Sequence, residues 1–152
     1  PPIRHIHHAL GVKRNAARTD IYIGVAAVAD YRADKPRQHK IKKTDSKQLE
    51  LKLVPNPDIL AWIAGRPHPP FCVGFAAESR NLDAYAEEKR RRKKVQLMVA
   101  NLAQDAIGSD ENEATLLDDR GTRKLPRATK EAVARELIAH IARLYKPGSR
   151  KR

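Results

Sequence analysis

The sequence predicts an α/β fold with a Rossmann-like, doubly wound, mostly parallel sheet, a small hairpin and a C-terminal helix. The prediction depends on apolar segments that are short enough for buried strands and end in small or polar residues, at 21–28, 71–76 and 96–101. Helical patterns separate these segments, and strands that alternate with helices form parallel sheets. Ligands of such sheets bind at the carboxyl ends of the strands.

The first half of the chain gives weaker local signals. Residues 1–20 show no clear period, 33–48 are polar and basic and are interpreted as a long loop, and 49–54 alternate as a half-exposed strand. Asn56 is a good N-cap, and Pro57 suits the first helical position because it needs no backbone donor there. A short helix is therefore predicted to follow.

The second half is easier to interpret. Asn81 precedes a helix predicted over 82–94, and its last turns are basic, as the helix dipole favours. A loop is predicted over 102–113, and the turn residues 118–121 lie between two alternating segments, which indicates a hairpin. Thr129 is expected to cap the final helix.

The composition limits the class of protein. A chain of 152 residues fits one domain, which we place at 20–147, after a poorly defined segment 1–19 and before a basic tail 148–152. No apolar run approaches the ~20 residues of a membrane helix, and no secretory signal is visible. The single cysteine, Cys72, fits a reducing compartment, so a cytoplasmic protein is expected.

The charge indicates an anionic partner. The net charge is +13, from 31 basic and 18 acidic residues, and 89–94 read KRRRKK. Clustered positive charge favours a nucleotide, a phosphorylated substrate or nucleic acid, although a solvated surface is the simpler interpretation. A basic nucleic-acid-binding module is thus the alternative function, although four Tyr, two Phe and one Trp limit base stacking.

Candidate ligand contacts lie at a strand end, on a helix face and in a loop. Asp30 follows the first strand, where it supplies a fixed charge or serves as a turn residue. Tyr85, Lys89 and Lys93 recur every four residues and share one helix face, and two lysines there suit a polyphosphate. Lys40 lies in the long basic loop, which is either an exposed segment or a lid over a bound anion.

Other conspicuous side chains favour a structural interpretation. His5, His7 and His8 resemble a metal cluster, but no cysteine or carboxylate completes it, so a disordered surface is predicted. Cys72 and Phe75 lie inside an apolar strand and are expected in the core.

Taken in order, these segments resemble phosphopantothenate–cysteine ligase, which is often the C-terminal half of a bifunctional coenzyme A biosynthesis flavoprotein. The resemblance covers about residues 20–147. The motifs that carry it are AAVADYR (26–32), KIKK (40–43), NPDI (56–59), GFAAES (74–79), the KRRRKK helix end (89–94), VAN (99–101) and GSDEN (108–112). The LPRATK segment (125–130) and the final helix also fit.

The resemblance implies a reaction in two steps. CTP activates the carboxylate of 4′-phosphopantothenate as an acyl-cytidylate, and the amine of L-cysteine then displaces CMP. It also implies Mg²⁺, a homodimer and a decarboxylase domain as a partner, with no flavin on this chain. The metal ligands are not identified by it.

The resemblance also implies which residues contact CTP. They are Gly24, Val25, Ala26, Asp30, Lys40, Asn56, Pro57, Asp58, Ile59, Phe75, Lys89 and Lys93. Lys40 matches, in addition, a lysine tied to the cysteine-transfer step. The family's earlier strand, glycine-rich loop and catalytic asparagine have no match here, so the chain is expected to be an incomplete ligase that binds nucleotide weakly or is inactive alone.

Overall fold

The computed structural model describes residues 3–26, 28–36, 39, 41–42, 48–78, 82–102 and 110–147. The helices of this part of the chain are α1 (Ile3–Asn15), α2 (Ile59–Ala64), α3 (Leu82–Lys93) and α4 (Lys130–Leu144). The strands are β1 (Ile21–Gly24), β2 (Tyr31–Ala33), β3 (Leu53–Pro55), β4 (Phe71–Glu78), β5 (Leu97–Leu102), β6 (Glu111–Asp118) and β7 (Gly121–Thr129).

The main sheet has the strand order β1-β4-β5-β6-β7. The strands β1, β4 and β5 are parallel, whereas β6 and β7 run antiparallel to their neighbours. Gly24 pairs with Gly74, and Ala77 pairs with Asn101, so the parallel strands end at the same edge. The predicted α/β, Rossmann-like fold class is confirmed.

Helices cover both faces of this sheet. One apolar cluster joins α1, α2 and α3 to one face, with Ile63, Cys72 and Met98 near its centre. A second cluster packs α4 on the opposite face, through Leu137 against Leu116 and their neighbours. Two-sided burial explains the continuous apolar runs from which the strands were predicted.

The predicted core position of Cys72 is confirmed, because its side chain is fully buried. Burial raises the pKa of the Cys72 thiol to about 12, so the thiol stays protonated at neutral pH. A protonated thiol is a poor nucleophile. Cys72 is therefore a core residue.

Several predicted elements of the second half are confirmed. The hairpin turn contains Gly121 at φ 124°, a left-handed backbone that suits glycine. The side chain of Thr129 accepts a hydrogen bond from the backbone N–H of Ala132 and caps α4. The loop predicted over 102–113 is wrong at both ends, since β5 includes Leu102 and β6 begins at Glu111.

The prediction that residues 1–20 lack regular structure is wrong, because 3–15 form α1. The apolar stripe of α1 is short, but Val12 packs against the core below it. The hydroxyl of Thr19 donates to the carbonyl of Asn15, which satisfies an orphan acceptor at the helix end. Tertiary packing of this kind stabilises helices that lack a strong pattern.

The first predicted strand is too long, since β1 ends at Gly24 rather than at residue 28. The strand predicted over 49–54 is also misplaced, because β3 pairs from Leu53 and forms a separate two-stranded sheet with β2. The guanidinium of Arg32 donates to the carbonyl of Pro55 at 2.6 Å and ties the two strands together. In the described part of the chain, no helix is long and apolar enough to cross a membrane.

Candidate functional site

A cavity of about 400 Å³ opens where β1 and β4 end. Its walls come from the strand ends, from the segment before α2 and from one face of α3. The residues predicted to contact a nucleotide that line it are Gly24, Ala26, Asp30, Asn56, Pro57, Asp58, Ile59, Phe75, Lys89 and Lys93. Segments far apart in the sequence thus meet around one space of a size suited to a small ligand.

Val25 is the predicted contact within the described residues that is not part of this wall. The side chain of Val25 is 64% exposed, and its backbone N–H donates to the carbonyl of Ile23. Lys40 lies outside the described residues. The roles of both residues stay predictions.

The floor of the cavity depends on residues without large side chains. A Cβ atom at Gly24 would lie 3.2 Å from the ring of Tyr22, so the backbone approaches closely here. A Cβ atom at Gly74 would lie 2.7 Å from Leu60 and 3.1 Å from Met98, which both line the cavity. A larger residue at Gly74 would displace the ends of Leu60 and Met98, and one at Gly24 would crowd the ring of Tyr22.

Asp58 links the segment before α2 to α3. Its Oδ1 accepts a hydrogen bond from the N–H of Ala61 at 3.0 Å, and its Oδ2 lies 2.9 Å from Nζ of Lys93. Burial acts to raise the pKa of Asp58. The Ala61 N–H and the Lys93 ammonium lower it by more than burial raises it, so the pKa of Asp58 is below its ordinary value. Asp58 is therefore ionised and holds one lysine in place.

The predicted N-cap of α2 is wrong, because Asp58 and not Asn56 caps the helix. The side-chain amide of Asn56 donates to the carbonyl of Ala29 at 2.7 Å. The backbone N–H of Asn56 donates to the carbonyl of Asp30, also at 2.7 Å. Asn56 is thus engaged by the segment that carries Asp30, and the helix begins two residues later than an Asn56 cap would allow.

Phe75 is 38% exposed and lines the cavity, so the prediction from sequence pattern that it belongs to the core is wrong. Two further lining residues, His8 of α1 and Tyr22 of β1, were not among the predicted ligand contacts. A periodic pattern assigns such residues to a helix or strand, but it does not reveal which of them face a cavity.

The basic run at the end of α3 is largely paired with carboxylates. Arg90 is buried and contacts Glu87 and Asp119. The other ion pairs join Arg91 to Glu87, Arg92 to Glu88 and Lys93 to Asp58. Positive charge that is already paired attracts a nucleic acid less than an unpaired patch would.

The described residues offer carboxylates to a metal ion but no closed metal centre. Among them, no group of three or more His, Cys, Asp or Glu side chains is placed to hold an ion. Asp30 and Asp58 both line the cavity. One or two carboxylates together with ligand phosphates are a common environment for Mg²⁺, so these residues fit a metal that arrives with a polyphosphate.

Two substitutions of Asp58 are expected to show how much its helix cap and its ion pair with Lys93 each contribute to stability. Asp58→Ala removes the cap and the ion pair, and should lower the free energy of unfolding by about 1–2 kcal/mol at pH 7. Asp58→Asn keeps a good capping residue, so it should cost less than half as much. Urea unfolding of both variants measures the difference.

The pH dependence provides the control for Asp58. Since folding lowers its pKa, the stabilisation by its carboxylate is present above the ordinary pKa and is lost as the pH falls through the lowered value. The stability gap between the wild type and Asp58→Asn should therefore shrink between pH 7 and pH 3. A gap that is constant or grows toward acid would contradict the ionised assignment.

Comparison with known proteins places this chain in a family. The sequence profile of the DNA/pantothenate metabolism flavoprotein C-terminal domain matches residues 7–145. The coenzyme A biosynthesis bifunctional protein CoaBC of Escherichia coli (strain K12) is 40% identical over 146 residues, which are 92% of this chain and 36% of that protein. The Haemophilus influenzae protein of the same name is 38% identical over 86% of this chain and 33% of its own length.

Solved structures agree with the sequence relatives. The crystal structure of the C-terminal domain of a CoaBC protein superposes with a TM-score of 0.71 at 29% identity, and covers 90% of this chain and 60% of that one. A Cab2 mutant in complex with phosphopantothenate-cysteine shares the fold, with a TM-score of 0.70 at 20% identity over 90% of this chain and 50% of its own. The chain spans roughly one third of the curated relatives that it matches. It belongs to the family of DNA/pantothenate metabolism flavoprotein C-terminal domains.

Proposed function

We propose that this chain is the CTP-binding portion of a phosphopantothenate–cysteine ligase of coenzyme A biosynthesis. The observation that carries the proposal is the cavity at the strand ends, where Lys89 and Lys93 of α3 meet Asp30 and the segment that contains Asp58. The family and the CoaBC relatives support the same pathway. A cytoplasmic location and a decarboxylase domain as partner stay predictions.

The proposed reaction makes an amide from a carboxylate, which is a poor electrophile. An oxygen of the 4′-phosphopantothenate carboxylate attacks the α-phosphorus of CTP and pyrophosphate leaves, which gives the acyl-cytidylate. The amine of L-cysteine then attacks the acyl carbon, loses a proton and displaces CMP. Bound Mg²⁺ would neutralise phosphate charge during the first step.

The cavity residues suit the nucleotide half of this reaction. The ammonium groups of Lys89 and Lys93 supply compact positive charge for the phosphates. Gly24 and Ala26 let a ligand approach the backbone, while the carboxylate of Asp30 accepts hydrogen bonds from the nucleoside. Phe75 provides an apolar surface beside them. Lys40 is proposed to assist cysteine transfer.

Calorimetric titration with CTP and Mg²⁺ tests the nucleotide site. We expect saturable binding with one nucleotide per chain, and little heat with RNA of equal phosphate content. CMP release should appear when 4′-phosphopantothenate, L-cysteine and the family's glycine-rich segment are supplied, and Lys40→Gln should impair amide formation more than CTP binding. Absence of CTP binding under all these conditions would reject the proposal.

The nucleic-acid alternative predicts the opposite pattern. It requires tight, strongly salt-dependent binding of RNA or DNA that CTP does not displace. The carboxylate partners of Arg90, Arg91 and Arg92 argue against it. Displacement of CTP by RNA in the same titration would favour it.

A homodimer is proposed from the apolar surface near β3. Leu49, Leu51 and Leu53 are each more than half exposed, and Tyr31 on the paired strand β2 is 61% exposed. Apolar side chains clustered at a sheet edge are typical of protein interfaces. Leu51→Glu should convert a dimer to a monomer in sedimentation experiments, whereas the matched control Leu10→Glu should not. Identical sedimentation of all three proteins would contradict this interface.

A further inference from the structure

We infer that His8 of α1 is a pH-dependent contact for the polyphosphate of the nucleotide bound in this cavity. The inference rests on the proposed function and adds a residue that neither the sequence pattern nor the resemblance indicated. His8 is half-buried and lines the cavity together with Lys89 and Lys93. It also lines a second cavity of about 390 Å³ that lies beneath α1.

The position of His8 is fixed by the packing of α1. Val12 lies one turn further along the helix, on the same face, and packs against the core. Lys13 lies 5.4 Å from the ring of Trp62, which attaches the outer side of α1 to α2. These contacts fix the position of α1, and with it the position of His8 at the cavity wall.

The balance of charge in the cavity shows why another cation matters. The ionisable groups that line the cavity together with His8, among the described residues, come from β1, from the segments before β2 and α2, and from α3. They are Tyr22, Asp30, Asp58, Lys89 and Lys93. Burial, Cys72 and Asp58 raise the pKa of Tyr22, so its hydroxyl is uncharged near neutral pH. Among the described lining residues, the two carboxylates formally cancel the two ammonium groups, and Asp58 already pairs with Lys93 at 2.9 Å.

A nucleoside triphosphate carries several negative charges, which these four described groups do not neutralise by themselves. Lys40 and Mg²⁺ are proposed to supply part of the positive charge, and His8 is placed to add to it. Histidine is the side chain that gains a positive charge between about pH 8 and pH 5. A protonated His8 would add one positive charge to the described lining of the cavity. In that form it would contribute to phosphate binding in the same cavity as Lys89 and Lys93.

The test is calorimetric titration of the chain with CTP and Mg²⁺ at pH 6 and pH 8. The wild type, His8→Gln and His8→Lys are compared. The phosphates of CTP also titrate in this range, so the readout is the difference between variants rather than the pH effect itself. We expect the wild type to bind about three- to ten-fold more tightly than His8→Gln at pH 6, and about equally at pH 8. His8→Lys, which is charged throughout, should bind more tightly than His8→Gln at both values.

The matched control is His68→Gln, because His68 is exposed and does not line the cavity. It should behave as the wild type at both pH values, and circular dichroism should show equal helix content in all variants. An equal affinity loss at both pH values in His8→Gln would indicate a structural role and overturn the inference. An unchanged pH response in His8→Gln, with CTP still bound, would overturn it as well. Failure of the wild type to bind CTP at either pH would instead overturn the proposed function and, with it, the inference.

Discussion

Replacement of Lys93 by methionine is expected to weaken CTP binding by about ten- to a hundred-fold. Methionine keeps an unbranched apolar side chain that is one heavy atom shorter, but the cavity loses one ammonium group. Asp58, which now lies 2.9 Å from Nζ of Lys93, would be left as an uncompensated negative charge beside the phosphates. The loss should therefore exceed that of Lys89→Met. Calorimetry with CTP and Mg²⁺ measures both.

The matched control is Lys94→Met, one residue further along the chain. Lys94 is exposed and does not line the cavity, although it carries the same charge. Its substitution should change the CTP affinity by less than about two-fold, since exposed charges are screened by solvent. Equal losses in Lys93→Met and Lys94→Met would mean that net charge, not the cavity, attracts the nucleotide.

A second variant tests the contribution of Asp58 to this loss. Asp58→Asn removes the negative charge while leaving a capping side chain, so the affinity for CTP titrated without Mg²⁺ should rise or stay the same. In that background Lys93→Met should cost less than in the wild type, because no uncompensated carboxylate remains. A cost that is independent of Asp58 would show that the two residues act separately on the ligand.

The site residues found from sequence patterns are those with local signals. Lys89 and Lys93 lie four residues apart on one helix, and Asp30 follows an apolar strand, so one helical turn or one strand end suffices to place each of them. The structure brings these residues to one cavity. Their placement depends on element type, which the hydrophobic pattern predicts well.

Phe75 shows what such patterns miss. In β4 it looks like any apolar strand residue, but β1 ends at Gly24, opposite Gly74. From Phe75 onward, β4 is still paired with β5 on one edge, but β1 no longer pairs with the other edge of β4. Exposure of Phe75 therefore follows from the lengths of two strands that are distant in sequence. The resemblance identified this residue because it transfers a position rather than a pattern.

The elements missed at the start of the chain have a similar cause. Helix α1 depends on tertiary contacts of Val12. Strand β2 has only three residues, and the strand that pairs with it, β3, begins at Leu53, some twenty positions further on. Windows of local sequence contain neither partner. His8 could not be placed at the cavity for the same reason, since its location requires the packing of α1.

Replacement of Arg90 by methionine is expected to lower the free energy of unfolding by about 2–3 kcal/mol at pH 7. The Arg90 side chain is 9% exposed, and its Nε and Nη2 donate to both carboxylate oxygens of Glu87 at 2.7 and 3.0 Å. Its Nη1 lies 2.8 Å from Oδ1 of Asp119, in the turn between β6 and β7. Arg90 thus attaches α3 to the hairpin, and methionine replaces only the aliphatic part of the side chain, without these contacts. Chemical unfolding followed by circular dichroism measures the loss.

The effect of Arg90→Met should depend on pH with a definite sign. Hydrogen bonds from Arg90, opposed by burial and reinforced by Arg91, lower the pKa of Glu87 to about 2 from an ordinary value of 4.5. A lowered pKa gives stability that is present above the ordinary value and is lost as the pH falls through the lowered one. The gap between the wild type and Arg90→Met should therefore be largest above pH 5 and shrink toward pH 2.

Arg91→Met is the matched control for this network. Arg91 also contacts Glu87, at 2.6 Å, but its side chain is 76% exposed, so solvent screens the pair. Its substitution should cost less than about 0.5 kcal/mol at any pH. Similar losses for the two arginines would show that the burial of Arg90 does not matter. If the stability gap between the wild type and Arg90→Met widens toward acid, Glu87 is not the group whose ionised form Arg90 stabilises.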